Sequence, residues 1–187
     1  MRKLKVIEYV TLDGVMEDPG PAGDFKYRGW TVPYWNDEMA AAQSKELFAS
    51  DALLLGRVTY EAFAAAWPLR SGDPFTDKMN SMKKFVASHN SAKRLEWNAT
   101  ALKGDVVEAV KKLKQEPGDD ILVYGSSALV HTLMPHSLID QYRLIVYPLV
   151  LGEGKRLFND GARRIELDLI SATTTQKGVA LLTYGRR

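Results

Sequence analysis

The chain has 187 residues, 45% hydrophobic and 26% charged, with a net charge of +2 and no cysteine. That length supports a substantial core, and the mixture is that of an ordinary globular protein. The near-neutral, scattered charge gives no reason to expect nucleic acid or an anionic membrane as partner. The missing thiols exclude disulfides, thiolate zinc sites and cysteine nucleophiles, which suits a cytoplasmic protein. Met1 to Lys5 leads into an alternating segment with no long apolar stretch, so neither a signal peptide nor a transmembrane helix is expected.

Residues 4–12 alternate loosely and are rich in β-branched and aromatic side chains, the pattern of a first strand. Residues 13–33 hold many glycines and prolines and predict a long loop, of the kind used as a lid or binding loop. Phe25, Tyr27 and Trp30, with Tyr34 and Trp35 just beyond, argue against a disordered excursion. Asn36 fits the N-cap of a helix through Met39, Ala42, Glu46 and Leu47. Residues 53–56 read as a strand buried on both faces. Thr59 then reads as the cap of a short helix, with Tyr60, Phe63 and Ala64 on one face and its end near Pro68. Residues 85–88 predict a third strand and residues 94–97 a fourth. Asp105 and Glu108 stand at capping-box spacing, and Val106, Val107, Val110 and Leu113 form one apolar stripe. Residues 121–124 form another buried strand, followed by a helix from Ser126 or Ser127 to about Met134. Residues 141–151, 165–171 and 178–184 are three strand-like segments with no helix between them, which predicts an antiparallel end to the sheet. The expectation is one α/β domain, a mixed sheet with helices on its faces. Tyr142, Leu144, Val146, Leu149 and Leu151 would give that sheet an apolar edge, and an apolar edge calls for a partner such as a second copy.

Two strand-to-helix junctions carry the chemistry. In Leu53-Leu54-Leu55-Gly56-Arg57-Val58-Thr59-Tyr60-Glu61 and in Ile121-Leu122-Val123-Tyr124-Gly125-Ser126-Ser127-Ala128-Leu129, an apolar run stops at glycine and a hydroxyl residue opens a helix. A helix N-terminus offers unpaired backbone N–H groups and the positive end of a dipole, so it suits an anion. Two such ends on one sheet match the separate phosphates of a dinucleotide. Arg57 adds a guanidinium that grips phosphate with two bonds. The same residues also fit ordinary strand-to-helix turns, where glycine and a Ser or Thr cap are common. His89, after Ser88 at a strand end, suits either a terminal phosphate or a polar turn. His89, His131 and His136 show no metal-ligand spacing, and no metal is expected. The fingerprint G-x-G-x-x-G follows no strand, and no G-x-S-x-G elbow occurs. Gly152-Glu153-Gly154-Lys155 lacks the spacing of a P-loop.

Five blocks taken in order resemble the dihydrofolate reductase superfamily. They are Tyr9-Val10-Thr11-Leu12-Asp13-Gly14, Leu55-Gly56-Arg57-Val58-Thr59-Tyr60-Glu61, Val86-Ala87-Ser88, Tyr124-Gly125-Ser126-Ser127-Ala128-Leu129 and the run from Pro148 through Gly152-Glu153-Gly154-Lys155 to Phe158. Within that superfamily the chain is similar to the bacterial branch related to the C-terminal reductase domain of the riboflavin-biosynthesis deaminase/reductase. The resemblance implies a three-layer fold, a mostly parallel sheet flanked by helices, with NADPH across the strand ends. It would place Gly56, Arg57 and Thr59 at cofactor phosphates and ribose, and Ser88 with His89 at the 2′-phosphate. Gly125, Ser126, Ser127, Ala128 and Leu129 would wrap the diphosphate, and Val10 and Leu12 would border the nicotinamide. Family members often carry Gly-Gly where this chain has Gly125-Ser126. The folate enzymes place a buried carboxylate at the start of the first long helix, where this chain offers Asp37 and Glu38.

The resulting expectation is an NADPH-dependent oxidoreductase acting on a small pyrimidine- or pterin-like heterocycle or a carbonyl compound. Only the reductive step is implied, since no deaminase half is seen. Trp30, Trp35, Tyr60 and Phe63 would wall the substrate pocket, and Asp13 and Asp37 are the candidate proton donors. The resemblance also implies a homodimer. A module that keeps the fold and binds a ligand without turnover is the rival reading.

Overall fold

A computed structural model describes residues 1–88, 95–158 and 164–187. The first strand, β1 (Leu4–Thr11), is buried along nearly all of its length because both of its faces are apolar. Leu4, Val6 and Val10 enter one core cluster, while Ile7 and Tyr9 pack into another. A strand covered on both faces belongs in the middle of a sheet with helices above and below. That is where β1 sits.

The other strands are β2 (Ser50–Gly56), β3 (Lys83–Ala87), β4 (Ala99–Ala101), β5 (Asp120–Tyr124), β6 (Gln141–Tyr147), β7 (Leu167–Thr174) and β8 (Ala180–Arg186). They order as β4-β3-β2-β5-β1-β6-β8-β7. Every pair from β4 to β6 is parallel. The last two pairs, β6 with β8 and β8 with β7, are antiparallel, as the run of strands without helices predicts. The helices are α1 (Asp37–Phe48), α2 (Arg57–Ala66), α3 (Pro74–Ser81), α4 (Val106–Gln115) and α5 (Ser127–Leu133). Met39 and Leu47 of α1, Tyr60 of α2 and Met79 of α3 fill the cluster on one face. Val107, Val110 and Leu113 of α4, with Leu129, Val130 and Leu133 of α5, fill the other. Among the described residues no helix is long and apolar enough to cross a membrane.

Several local expectations hold through their caps. The Asn36 side chain accepts from Met39 N at 3.0 Å, and the Asp105 side chain accepts from Glu108 N at 3.0 Å. Others are corrected. Residues 95–97 form no strand, because Trp97 and Asn98 take φ values of +56° and +53°, which breaks the extended chain. The strand starts instead at Ala99, and Arg94 lies outside the described residues. β6 stops at Tyr147 rather than Leu151, since Pro148 has no N–H to continue the ladder. Helix α3 was not expected; its signal is Asp73-Pro74, a capping carboxylate bonded to Thr76 N at 2.9 Å and a proline in the first turn.

Candidate functional site

Strands β2 and β5 are parallel neighbours, with Leu54 opposite Val123, so Gly56 and Gly125 leave the sheet at the same edge. Open α/β sheets gather their ligands beyond the carboxyl ends of such strands. Ser126 ties the two junctions together. Its hydroxyl accepts from Gly56 N at 2.7 Å and donates to Thr59 Oγ1 at 2.9 Å. A β-carbon on Gly56 would stand 2.9 Å from Ser126 Oγ, so only glycine lets the serine approach. Gly125 has φ +59°, and a β-carbon there would meet Thr59 Oγ1 at 3.2 Å. Thr59 is therefore a first-turn residue turned towards Ser126, and the N-cap of α2 is Gly56.

The caps divide the helices. Side chains of Asn36, Asp73 and Asp105 cap α1, α3 and α4. Helices α2 and α5 begin at the shared edge and have no side-chain cap bond among the described residues. First-turn N–H groups without a side-chain cap suit water or an anion. Arg57 opens α2, is exposed, and chelates the Glu61 carboxylate with two bonds of 3.0 Å. Ser88 follows β3, whose Ala87 pairs with Gly56, so it stands at the same edge. His89 lies outside the described residues. Val10 is buried near the end of β1, next to β5, while Leu12 is exposed and donates its N–H to Leu149 O at 2.9 Å. Ser127 is half-buried and Ala128 exposed; Leu129 points into the core, so only its backbone faces the edge.

Asp13 is an organising residue. Its carboxylate accepts from Thr11 Oγ1 at 2.5 Å, Leu151 N at 3.2 Å and Gly152 N at 2.8 Å. Desolvation works against the charge, but these bonds outweigh it and hold the carboxyl below its usual range. A group held ionised in this way is a poor proton donor at neutral pH. Asp37 is exposed in the first turn of α1, and that helix turns Met39, Gln43 and Leu47 inward instead. Glu38 accepts from Gln176 N at 2.9 Å.

Trp30 is 6% exposed, stands edge-on to Tyr147 at 5.2 Å and donates its indole N–H to Glu17 O at 2.8 Å. It is a core residue. Trp35, by contrast, lines a cleft of about 190 Å³ between α1 and α3, together with Ala40, Gln43, Ser44, Asp73 and Phe75. Phe63 joins this cleft indirectly, through Trp67 at 6.3 Å and on to Phe75 at 5.8 Å. Tyr60 is buried, and its hydroxyl exchanges bonds with the backbone of Glu96. Three groups here escaped the sequence reading. The Tyr9 hydroxyl accepts from Gln43 Nε2, and burial pushes the phenol well above its ordinary range. Burial likewise raises Tyr124, whose hydroxyl has no hydrogen-bond partner among the described residues. Glu8, on the opposite face of β1, accepts from the Gly125 backbone and is pushed upward by desolvation. Their only sequence signal is a polar atom in a segment otherwise patterned as core.

Residues 2–181 match the family model described as the RibD C-terminal domain. The chain belongs to that family. Over 139 residues it is 35% identical to YyaP of Bacillus subtilis strain 168, a protein described as uncharacterized, covering 72% of this chain and 73% of that one. A solved deaminase/5-amino-6-(5-phosphoribosylamino)uracil reductase of Thermotoga maritima superposes with a TM-score of 0.67 at 15% identity, covering 100% of this chain and 57% of that one. Dihydrofolate reductase of Enterococcus faecalis, solved in complex with NADP(H), gives 0.65 at 17% identity, covering 99% and 96%. At these identities the structures establish a shared fold of reductase type, with the mostly parallel sheet and antiparallel C-terminal strands expected from sequence.

Proposed function

We propose that this RibD C-terminal-like chain is a single-domain, NADPH-dependent reductase of a small pyrimidine- or pterin-like heterocycle or carbonyl compound, working as a homodimer. The observation that carries the reading is the difference in capping. Among the described residues three α-helices close their N-termini with side chains, and the two that meet at the carboxyl edge of the sheet do not. Oriented N–H groups at two adjacent helix ends suit a diphosphate. The residues present fit such a group, because Gly56 and Gly125 keep the edge free of β-carbons while Ser126 locks the two turns at a fixed spacing.

NADPH, when bound, would supply the hydride. Gly125 to Leu129 and the first turn of α2 would hold its phosphates through backbone N–H groups. Arg57 would exchange part of its grip on Glu61 for phosphate, and Ser88 would address the adenosine end. Val10 and Leu12 would flank the nicotinamide. The cleft between α1 and α3 would take the substrate against Trp35 and Phe75. Asp13 would position the loop rather than donate a proton.

Titration with NADPH and NADH, followed by turnover assays on pyrimidines, pterins and quinones, tests this reading. Arg57→Ala is expected to weaken NADPH binding by about 1.5 kcal/mol or more, as for a charge-assisted hydrogen bond, and NADH binding by less. Equal losses would assign Arg57 to the shared diphosphate. Binding of neither cofactor would overturn the proposal, and binding without turnover on any substrate would point to a ligand-binding module.

A further inference from the structure

The cleft between α1 and α3 has a volume of about 190 Å³. Pockets for drug-sized ligands begin at roughly 300 Å³, so this one suits a single small ring system. Trp35, which is 49% exposed, and Phe75 give it flat apolar walls, and Phe75 is backed by Trp67 at 5.8 Å.

The polar groups of such a cleft decide which ring it takes, and the acids here are already engaged. Asp73 spends both carboxylate oxygens on Thr76, at 2.9 Å to the backbone N–H and 2.6 Å to the hydroxyl. On α1, Glu38 accepts from Asn36 and Gln176, and Glu46 pairs with Lys5 and Arg143. Among the described residues no lysine, arginine or histidine lines the cleft. It therefore presents no free charge.

Gln43 presents an amide instead. It belongs to the inward stripe of α1 with Met39 and Leu47, one turn away on either side, and is 8% exposed. Its Nε2 donates to the hydroxyl of Tyr9, whose ring is held edge-on to Tyr147 at 5.8 Å. That bond leaves Oε1 as the free end of the amide. Among the described residues the buried side-chain atoms without a partner are Glu8 Oε1 and Tyr124 Oη. Gln43 Oε1 has no hydrogen bond there and is not one of them, so it is open to solvent, and the opening that Gln43 lines is this cleft.

We propose that Gln43 is a specificity-determining residue of the cleft: its amide carbonyl, aimed by the bond to Tyr9, accepts an N–H from the edge of an uncharged flat ring held against Trp35 and Phe75. The proposal rests on the reductase reading for the cleft as the substrate site. So enclosed an acceptor discriminates against a ring whose matching nitrogen carries no hydrogen, because the carbonyl then loses water without gaining a partner. With no free carboxylate beside it, the cleft also has nothing to neutralise a protonated amidine ring.

A cycle of two ligands and two proteins isolates the contact. The ligands are lumazine (pteridine-2,4-dione), which carries ring N–H groups, and 1,3-dimethyllumazine, in which methyl groups replace those hydrogens. The proteins are the wild type and Gln43→Leu, titrated calorimetrically with and without NADPH. The wild type should prefer lumazine. Gln43→Leu should lose about fivefold to tenfold in lumazine affinity, the worth of one neutral hydrogen bond, and change by about twofold or less towards dimethyllumazine. Leucine also leaves the Tyr9 hydroxyl unpaired, so Gln43→Glu is the second variant. It keeps the shape and an acceptor, and should retain lumazine while gaining affinity for 2,4-diaminopteridine, a ring that takes up a proton. Equal loss of both lumazines in Gln43→Leu, a wild type indifferent to the methyl groups, loss of lumazine in Gln43→Glu, or no binding of lumazine at all would overturn the assignment. Failure of NADPH to bind while the ligand pattern holds would instead refute the reductase reading and leave the role of Gln43 intact.

Discussion

At the scale of single residues, Ser126 holds the candidate site together. It sits in the left-handed region at φ +67°, a conformation that costs a residue with a β-carbon about 1–2 kcal/mol. Its two hydrogen bonds to Gly56 and Thr59 offset that cost. Ser126→Ala keeps the strain and loses both bonds, so urea unfolding should show a loss of about 1–2 kcal/mol together with weaker NADPH binding. Ser126→Gly, relieved of the strain, should fall nearer to the wild type; an alanine variant as stable as the wild type would show that the bonds contribute nothing. Lys84 presents a separate case. It is 1% exposed, donates to Asn80 O at 2.8 Å and stands 4.0 Å over the Trp97 ring. Burial lowers its pKa from 10.5 to about 8. Below that value the lysine is protonated in both states, and the folded state bears the whole cost of the buried charge. Between about 8 and 10.5 the unfolded chain binds more protons, so stability should rise with pH, by at most about 3 kcal/mol at 1.36 kcal/mol per unit. Thermal melts at about pH 7 and about pH 9.5 should show that rise in the wild type and not in Lys84→Met.

At the scale of elements, the segment after β1 is more firmly bound than a lid read from glycines and prolines suggests. Thr11 N bonds Val15 O at 3.0 Å, Met16 N bonds Lys155 O at 2.8 Å and Leu157 N bonds Gly14 O at 3.2 Å. Two ion pairs, Lys26 with Glu153 and Lys155 with Glu17, join the same two segments. Trp30 then fastens the far end of the loop onto Tyr147. Trp30→Ala should therefore cost about 3 kcal/mol of stability, as for a large buried aromatic, with turnover per folded molecule preserved. An intact melting temperature with damaged turnover would restore the lid. Trp30 also shows where sequence reasoning stops. An aromatic-rich loop is legible, yet whether its tryptophan faces a ligand or the core depends on Tyr147, more than a hundred residues away. Helix starts at Asn36 and Asp105 were legible because a cap and its target lie three residues apart. The Thr59 cap was misplaced because its hydroxyl prefers Ser126, sixty-seven positions on. The two glycine junctions were visible as separate motifs; their union through Ser126, and the Tyr9–Gln43 contact beneath the cleft, are products of strand order.

At the scale of the whole molecule, strand order also changes where a partner would dock. Tyr142, Leu144 and Val146 read as an apolar edge, but β6 lies between β1 and β8, and Tyr142 is 3% exposed. Alternation reveals which residues share a face and says nothing of which strand ends up outermost. At the antiparallel end of the sheet that place falls to β7, which is exposed at every position after Leu167. Leu169 and Ile170 are each 56% exposed there, beside a register irregularity between Leu169 and Ser171. An outer strand presents unpaired N–H and C=O groups along with these side chains, and a second copy can satisfy both. The bulge limits how far two such edges can pair, so side-chain burial by Leu169 and Ile170 would have to carry much of the association. The homodimer proposed above is therefore expected to form through the β7–β8 ribbon. Light scattering at micromolar concentration should report a dimer for the wild type and a monomer for the double variant Leu169→Asp, Ile170→Asp. The circular dichroism of the variant should match the wild type, because neither side chain belongs to the core. A wild-type monomer would remove the dimer altogether, and a double variant that stays dimeric would move the interface away from β7.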